Sequence, residues 1–521
     1  MTTAAEDSWR RLSARMLLVH PVQELIRALP WLFGLLIAGS SRGNGGEWGL
    51  AGLGLAVLAG IMRWFTTSYR ITPEQVQLRN GLVRRRLRAV ALDRVRTVDV
   101  TANLMHRVLG LTRVTVGTGR SDGGADAGLR LDGLDAAAAS TLRDELLHGR
   151  AGRPAAEAAA DADAAPVAEQ ELARLQPAWI AYGPFTLSGL VTLGLLASFA
   201  ANALNDANVD PRDIGPLRDA GDTLGSLGPA AAIAAIVVVA VLAVTLFSAA
   251  GYVLAFWGFR LTRRPEGTLH VVRGLITTRA VTIEERRLLG VEIAEPLLLR
   301  GARGAHCAAI ATGLRAGRGR GRGGSVLLPP APRSVARRVA ADVLRTAQPL
   351  ECPLTPHGPR ARRRRYTRAL GACVPVVAAA LALAAILDWP AWAWLLAVLP
   401  LPVAAALAAD RARSLGHAVT ATALVTRIGS VVRRRSMLSR DGIIGVNLRR
   451  SFFQRRAGLV TLTATTAAGE QHYAVLDVTP DEALRVADAS VPGLLAPFLA
   501  EPELRSGVPS GVALADDATR E

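Results

Sequence analysis

One spacing recurs three times along the chain. A glycine is followed five residues later by an arginine, seventeen residues after the glycine by a valine, and nine residues further by a second arginine. The sets are Gly81, Arg86, Val98 and Arg107; Gly274, Arg279, Val291 and Arg300; and Gly429, Arg434, Val446 and Arg455. The copies run over Tyr69–Gly117, Phe259–Gly313 and His417–Thr465, each after a pair of apolar stretches. Internal repetition outranks every other signal of architecture. It makes this chain one unit, an apolar pair plus a polar module, used three times. Gly81, Gly274, Gly429, Arg107, Arg300 and Arg455 are therefore read as structural positions of the repeat.

The apolar stretches fit membrane spans. They cover Leu25–Ser40, Trp48–Phe65, Trp179–Ala201, Pro229–Trp257, Ala369–Leu387 and Trp389–Ala409. A helical span needs about 20 apolar residues, so six spans in three hairpins are expected. Half of the 521 residues are hydrophobic and the mean hydropathy is +0.27, as for a membrane protein with large water-exposed parts. Net charge is +18 and every basic side chain except histidine is arginine. With spans present, anionic lipid is the expected partner and nucleic acid is not. The start carries Glu6 and Asp7 and no small-residue cleavage site, so it does not read as a signal peptide.

Arginine placement sets the expected orientation. The connector Asn202–Gly228 holds Asp206, Asp210, Asp213, Asp219 and Asp222 against Arg212 and Arg218. The opposite side holds Arg84, Arg85, Arg86 and Arg88, and the run Arg360, Arg362, Arg363, Arg364, Arg365 and Arg368. The positive-inside rule then puts both termini and all three modules in the cytoplasm of a multi-pass inner or plasma membrane protein.

Within each module, strands precede a closing helix. Partial alternation marks strands over Arg70–Leu78 and Leu82–Leu92, with Asn80-Gly81 as a two-residue hairpin turn. The closing helices are expected over Ala136–Leu147 capped by Asp135, Val335–Thr346 capped by Ser334, and after Thr479-Pro480-Asp481-Glu482. The expected division is 1–66 basic N-terminus and first hairpin, 67–149 module, 150–174 flexible linker, 175–258 second hairpin with its acidic external loop, and 259–348 module with a Gly-Arg insertion. It continues with 349–368 basic linker, 369–410 third hairpin, 411–501 module and 502–521 disordered tail.

This arrangement resembles the bacterial pleckstrin-homology-like (PH-like) membrane proteins of the YdbS/YdbT type. The resemblance is carried by Ile283-Glu284-Glu285-Arg286-Arg287-Leu288, Gly290-Val291-Glu292-Ile293 and Glu295-Pro296-Leu297-Leu298-Leu299-Arg300 in the second copy. Leu92-Asp93-Arg94-Val95 and His106-Arg107 carry it in the first, and Phe452-Phe453-Gln454-Arg455 in the third. His20-Pro21 before the first span and Gln176-Pro177 before the third also match. The resemblance implies an α+β membrane protein with three PH-like antiparallel β-sandwich or barrel modules, each closed by a C-terminal helix. It implies no enzymatic activity and no cofactor, and it brings in a shorter single-module PH-like membrane protein as a partner.

The chemistry-bearing residues are sparse. No HExxH, GxxxxGK[ST] or GxSxG is present, and His306-Cys307 stands without further metal-ligand spacing. Neither a catalytic nor a metal-binding residue is expected. The candidate anionic-lipid contacts are Arg84, Arg86, Arg88, Arg433, Arg434, Arg362, Arg363, Arg364 and Arg365. Arg107, Arg300 and Arg455 are expected to pair with carboxylates or strand carbonyls inside their own modules. The expected function is a membrane scaffold or a lipid- or protein-binding protein of the cell envelope. Two alternatives stand beside it: a transporter or exporter component contributing to resistance against membrane-active compounds, and a scaffold for protein contacts alone, built on exposed strand edges.

Overall fold

The computed structural model describes residues 9–19, 61–117 apart from 63, 73, 82–85 and 92–96, then 129–135, 169–186, 215–314 and 325–493, with isolated residues elsewhere. The first module contains β1 (Arg10–Arg11), β2 (Ser68–Ile71), β3 (Gln75–Asn80) and β4 (Arg86–Ala91). It continues with β5 (Thr97–Ala102), the short helix α1 (Leu104–Val108), β6 (Leu111–Gly117) and β7 (Leu129–Asp135). The second opens with β8 (Gln170–Arg174). Helices α2 (Gly215–Ser226) and α3 (Pro229–Phe256) come next, then β9 (Arg260–Arg264), β10 (Thr268–Arg273) and β11 (Thr278–Glu284). It ends with β12 (Leu288–Pro296), α4 (Leu297–Gly301), β13 (Gly304–Ala311), β14 (Val326–Pro332) and α5 (Arg333–Leu344). In the third, α6 (Gly358–Ile386), α7 (Ala391–Val398) and α8 (Pro400–Ser414) precede β15 (Gly416–Val419), β16 (Ala423–Ile428) and β17 (Val432–Ser439). There follow β18 (Gly445–Arg449), α9 (Phe452–Ala457), β19 (Val460–Thr465), β20 (His472–Val478) and α10 (Pro480–Ser490).

The repeat spacing now has a geometric cause. Asn80 pairs with Arg86, Arg273 with Arg279 and Ile428 with Arg434. Each arginine thus closes a hairpin opposite the residue before its glycine. The glycines have φ of 114°, 110° and 103°, a region that side chains with a Cβ disfavour. A Cβ at Gly274 or Gly429 would also collide with the carbonyl oxygen of Thr277 or Val432. The first hairpin is therefore wider than the expected two-residue Asn80-Gly81 turn, because its strands close only at Arg86.

Each module also begins before its apolar stretches. β1 pairs with β2, β8 pairs with β9, and Thr355 bridges His417. The apolar pair of each repeat is thus inserted between the first and second strands of its module. Residues 170–174, expected as linker, form a sheet edge. The Gly-Arg segment does not degrade the second module, since β13 and β14 pair on either side of it.

Among the described residues, three helices are long and apolar enough to cross a membrane: Pro229–Phe256, Gly358–Ile386 and Trp394–Ser414. The last two form one hairpin. The expected runs Leu25–Ser40 and Trp48–Phe65 lie outside the described residues, apart from isolated helical positions. The expected third span must be corrected at its start. Trp179 is buried in a 3-10 turn, Pro177–Tyr182, within the core of the second module. Pro177, Gly183 and Pro184 break the run there, so the indole packs as core and is not an interfacial anchor. Six spans in three hairpins are therefore not supported as a whole.

The closing helices pack as amphipathic stripes. α5 buries Ala336, Val339, Ala340 and Val343, and α10 buries Ala483, Val486 and Ala487, at the spacing of one helical face. Thr479 caps α10 by accepting a hydrogen bond from Glu482 N. The expected Ser334 cap is not used: α5 starts at Arg333 and Pro332 holds the cap position without a side-chain bond. The expected helix Ala136–Leu147 lies outside the described residues except for single positions.

The modules are fused through their sheets. β5 of the first module pairs with β11 of the second, giving the seven-stranded order β7-β6-β5-β11-β10-β9-β8. β12 of the second pairs with β17 of the third, giving β14-β13-β12-β17-β16-β15. Val98 faces Thr282 in one seam and Val291 faces Met437 in the other. Those pairs are equivalent in the repeat, so both seams share one register. At Gly290 a side chain would strike the Met437 carbonyl oxygen, so the second seam depends on glycine for its close approach. Gly290→Val is expected to destabilise this seam by about 1–3 kcal/mol. Thermal unfolding of the detergent-solubilised protein should then separate into two transitions, with protease cleavage appearing first around residue 290.

Candidate functional site at the seams and membrane ties

The seams are lined by carboxylates facing arginines. Asp99 on β5 lies in the field of Arg279 and Arg273; burial nevertheless holds its carboxyl above the usual range. Glu292 on β12 accepts a hydrogen bond from Ser436 Oγ at 3.1 Å and lies 3.7 Å from Arg434 Nε. Burial raises its pKa too, against the pull of Arg434. Arg434 also reaches Glu470 at 2.5 Å, and Arg433 reaches Asp410 at 3.0 Å. These two arginines, expected to meet lipid, are engaged with carboxylates at the seam.

The second arginine column spans modules. Arg107 Nη1 on α1 donates to Leu275 O, 2.6 Å away in the next repeat. Arg300 Nη2 on α4 pairs with Asp410 Oδ2 at 3.0 Å, near the end of α8. Both bonds reach forward to the following unit, whereas the expected partners lay within the same module. Arg455 on α9 is exposed, and no further seam follows it among the described residues.

The other arginines divide by burial. Arg88 is half-buried on β4, Arg86 opens the same strand, and Arg84 lies outside the described residues. Arg362 and Arg363 at the start of α6 are exposed. Arg365 is buried and pairs with Asp477 Oδ2 at 2.5 Å, while Arg364 pairs with Asp477 Oδ1. Gln454 Nε2 donates to the same Asp477 oxygen as Arg364, at 2.7 Å. Asp477 has φ of 58° and is buried. It fastens the basic start of a membrane helix to the third module. The sequence reading missed Asp477, Asp410, Asp99 and Glu292. No spacing marks them, but a basic run entering a module needs buried counter-charge, and carboxylates in strands supply it.

A histidine pair lies beside this tie. His417 is buried; its Nδ1 is 3.0 Å from His357 Nε2 and its Nε2 is 3.0 Å from Glu482 Oε1. His357 Nδ1 lies 2.5 Å from Leu476 O. Burial pushes His357 down to about 4, partly opposed by that backbone bond, and lowers His417, opposed by Glu482.

Two outcomes follow. Asp477→Asn leaves Arg364 and Arg365 without their counter-charge and should cost about 3–5 kcal/mol, read as a lower Tm of the solubilised protein. At His357 the unfolded chain binds a proton near pH 6.5 and the folded chain only near 4, so stability rises with pH across that window, and the lowered His417 acts in the same direction. Acidifying from pH 7 to 4.5 should lower Tm, and His357→Gln should flatten the dependence by on the order of 5 °C.

Comparison with known proteins agrees with this architecture. The Bacterial PH domain family model matches residues 24–150 and 368–491. These segments cover the apolar stretches and the later strands of the first and third modules, but not β1 or Thr355. The UPF0699 transmembrane protein YdbT of Bacillus subtilis (strain 168) is 22% identical over 250 residues, covering 46% of this chain and 49% of that protein. The chain therefore matches about half the length of this relative. No solved structure matches it. The second module, which lies outside both family-model segments, has the same strand order, the same glycine hairpin and the same seam register as its neighbours. Apolar helices, repeated modules and both matched regions together make this chain similar to the YdbT-type bacterial PH-like membrane proteins.

Proposed function

We propose that the chain is a non-enzymatic envelope scaffold whose three PH-like modules form one continuous ridge along the cytoplasmic face of the inner membrane. The observation that carries this reading is the pair of seams in common register. Independent binding modules on separate hairpins have no need of shared sheets, whereas a scaffold needs fixed spacing. Orientation is supported by arginine at the module side and by the aspartates of residues 206–222 on the other. Exposed Arg362 and Arg363 are placed to meet anionic lipid, at about 1 kcal/mol each.

A second reading is favoured by the sheet edges. Among the described residues β4 pairs only with β3, and β18 only with β19. These strands are the repeat equivalents of the two seam partners, so each end of the ridge offers half a seam. A further PH-like module, such as a shorter single-module membrane protein, would add there by strand pairing. A second copy of this chain is disfavoured by charge, because seam register would set Arg449 against Arg86.

The test uses native membranes. Asp99→Cys with Val281→Cys, opposite each other across the first seam, should form a disulfide that holds the two halves together after cleavage in residues 150–168. A topology reporter placed at residue 210 should read as external. Halves that separate without reductant, or a cytosolic reporter at 210, would overturn the scaffold reading. A photo-crosslinker at Asn447 on β18 should capture a PH-like membrane protein if the second reading holds; capture of this chain itself would count against it.

A further inference from the structure

Each module carries a short helix after its seam strand, and each of these helices exposes apolar side chains. They are Leu104, Met105 and Val108 on α1, Leu297 and Leu298 on α4, and Phe452 and Phe453 on α9. Val108 is 79% exposed, Phe452 65% and Phe453 71%. The two phenylalanines contact each other edge to face, with centroids 5.5 Å apart. Exposed apolar residues scattered singly need no explanation. The same turn exposing them in three repeats does.

Their positions relative to the membrane helices repeat as well. At the first seam, the glycine hairpin of the second module bonds to the end of α3: Leu275 N donates to Leu254 O at 3.0 Å and Gly274 N to Trp257 O at 2.9 Å. On its other side the same hairpin accepts Arg107 from α1. Its tip, Ile276, is 47% exposed. At the second seam, Ser414 at the end of α8 donates to Gly429 O, and Leu297 N of α4 donates to Val431 O at 2.7 Å. Val431 occupies the repeat position of Ile276 and is also exposed. At the open end, Arg364 of α6 donates to Ser451 Oγ, the cap of α9, at 3.2 Å.

These bonds set the height of the tips above the bilayer. Leu254 lies two residues inside the end of an apolar helix, so its partner sits about 3 Å from that end along the axis. Arg364 precedes the apolar stretch of α6, which begins at Ala369, by about 8 Å of rise. Both partners thus lie within about one and a half helical turns of the end of an apolar stretch. Exposed arginines flank the outer tips, Arg107 at α1 and Arg449, Arg450, Arg455 and Arg456 at α9, while Arg300 at α4 is held by Asp410. Apolar side chains below and arginines level with the headgroups are the chemistry of an interfacial contact.

We propose that α1, α4 and α9, with the hairpin tips Ile276 and Val431, are lipid-inserting feet that seat the fused modules in the interfacial layer of the bilayer. This inference rests on the scaffold reading and adds how the scaffold meets the membrane. The apolar feet make the contact and the surrounding arginines serve the headgroups.

The full chain reconstituted in phosphatidylglycerol/phosphatidylcholine nanodiscs tests this. An environment-sensitive fluorophore is attached at Met105→Cys, Leu298→Cys or Phe453→Cys, in a background with Cys352→Ser and Cys373→Ser. Glu266→Cys, in the turn at the opposite end of β10, is the control. Doxyl lipids labelled near the headgroup should quench the three foot probes at least twofold and leave the control unchanged. Iodide in the buffer should quench only the control. Foot probes quenched by iodide like the control would overturn the proposal. So would probes shielded from both quenchers whose shielding vanishes at one chain per disc, which would identify a second copy as the occupant. Phe452→Ser with Phe453→Ser should raise iodide quenching of a probe on the preceding strand, at Asn447→Cys, while the cross-seam disulfide still forms. Failure at the feet with that disulfide intact removes this inference alone; loss of the disulfide removes the scaffold reading.

Discussion

The structure depends on one kind of contact, antiparallel strand pairing between neighbouring modules in a common register. It satisfies backbone groups that an isolated module would leave at an open edge. It also aligns the glycine hairpin of one module with the short helix of the one before. Membrane helices, arginine columns and apolar tips are brought together at the same place twice. A register slip would turn Val98 and Val291 out of their cores.

Charge acts differently here than bulk composition implies. Part of the arginine excess lies on exposed side chains such as Arg362 and Arg363. The arginines nearest the seams are paired instead with Asp410, Glu292 and Glu470. Asp477 does the same for Arg364 and Arg365, at the entrance of a membrane helix. Basic residues thus serve both as surface charge and as internal fasteners, and only burial separates the two uses.

The repeat was legible in the sequence because its spacing is a hairpin closure: glycine at one side of the turn, arginine at the other. The strands-then-helix layout was legible from periodicity, and the cap of α10 from Thr479 and Glu482. The seams were not, since a strand that pairs across modules has the same alternation as one that pairs within. The forward reach of Arg107 and Arg300 was hidden for the same reason: a column shows that a residue recurs, not which unit it touches. Trp179 misled because an apolar run beginning with tryptophan reads as a membrane entry, while Pro177, Gly183 and Pro184 fold it into a module core.

Placing each apolar pair between the first and second strands of its module has a consequence for biogenesis. β8 cannot meet β9 until the intervening helices have left the translocon and brought Arg174 back beside Arg260. The first module in turn keeps one edge of β5 open, the other being paired with β6, until β11 has been synthesised. Maturation is therefore gated by insertion, one repeat after another. A repeat whose helices fail to integrate leaves two sheets incomplete.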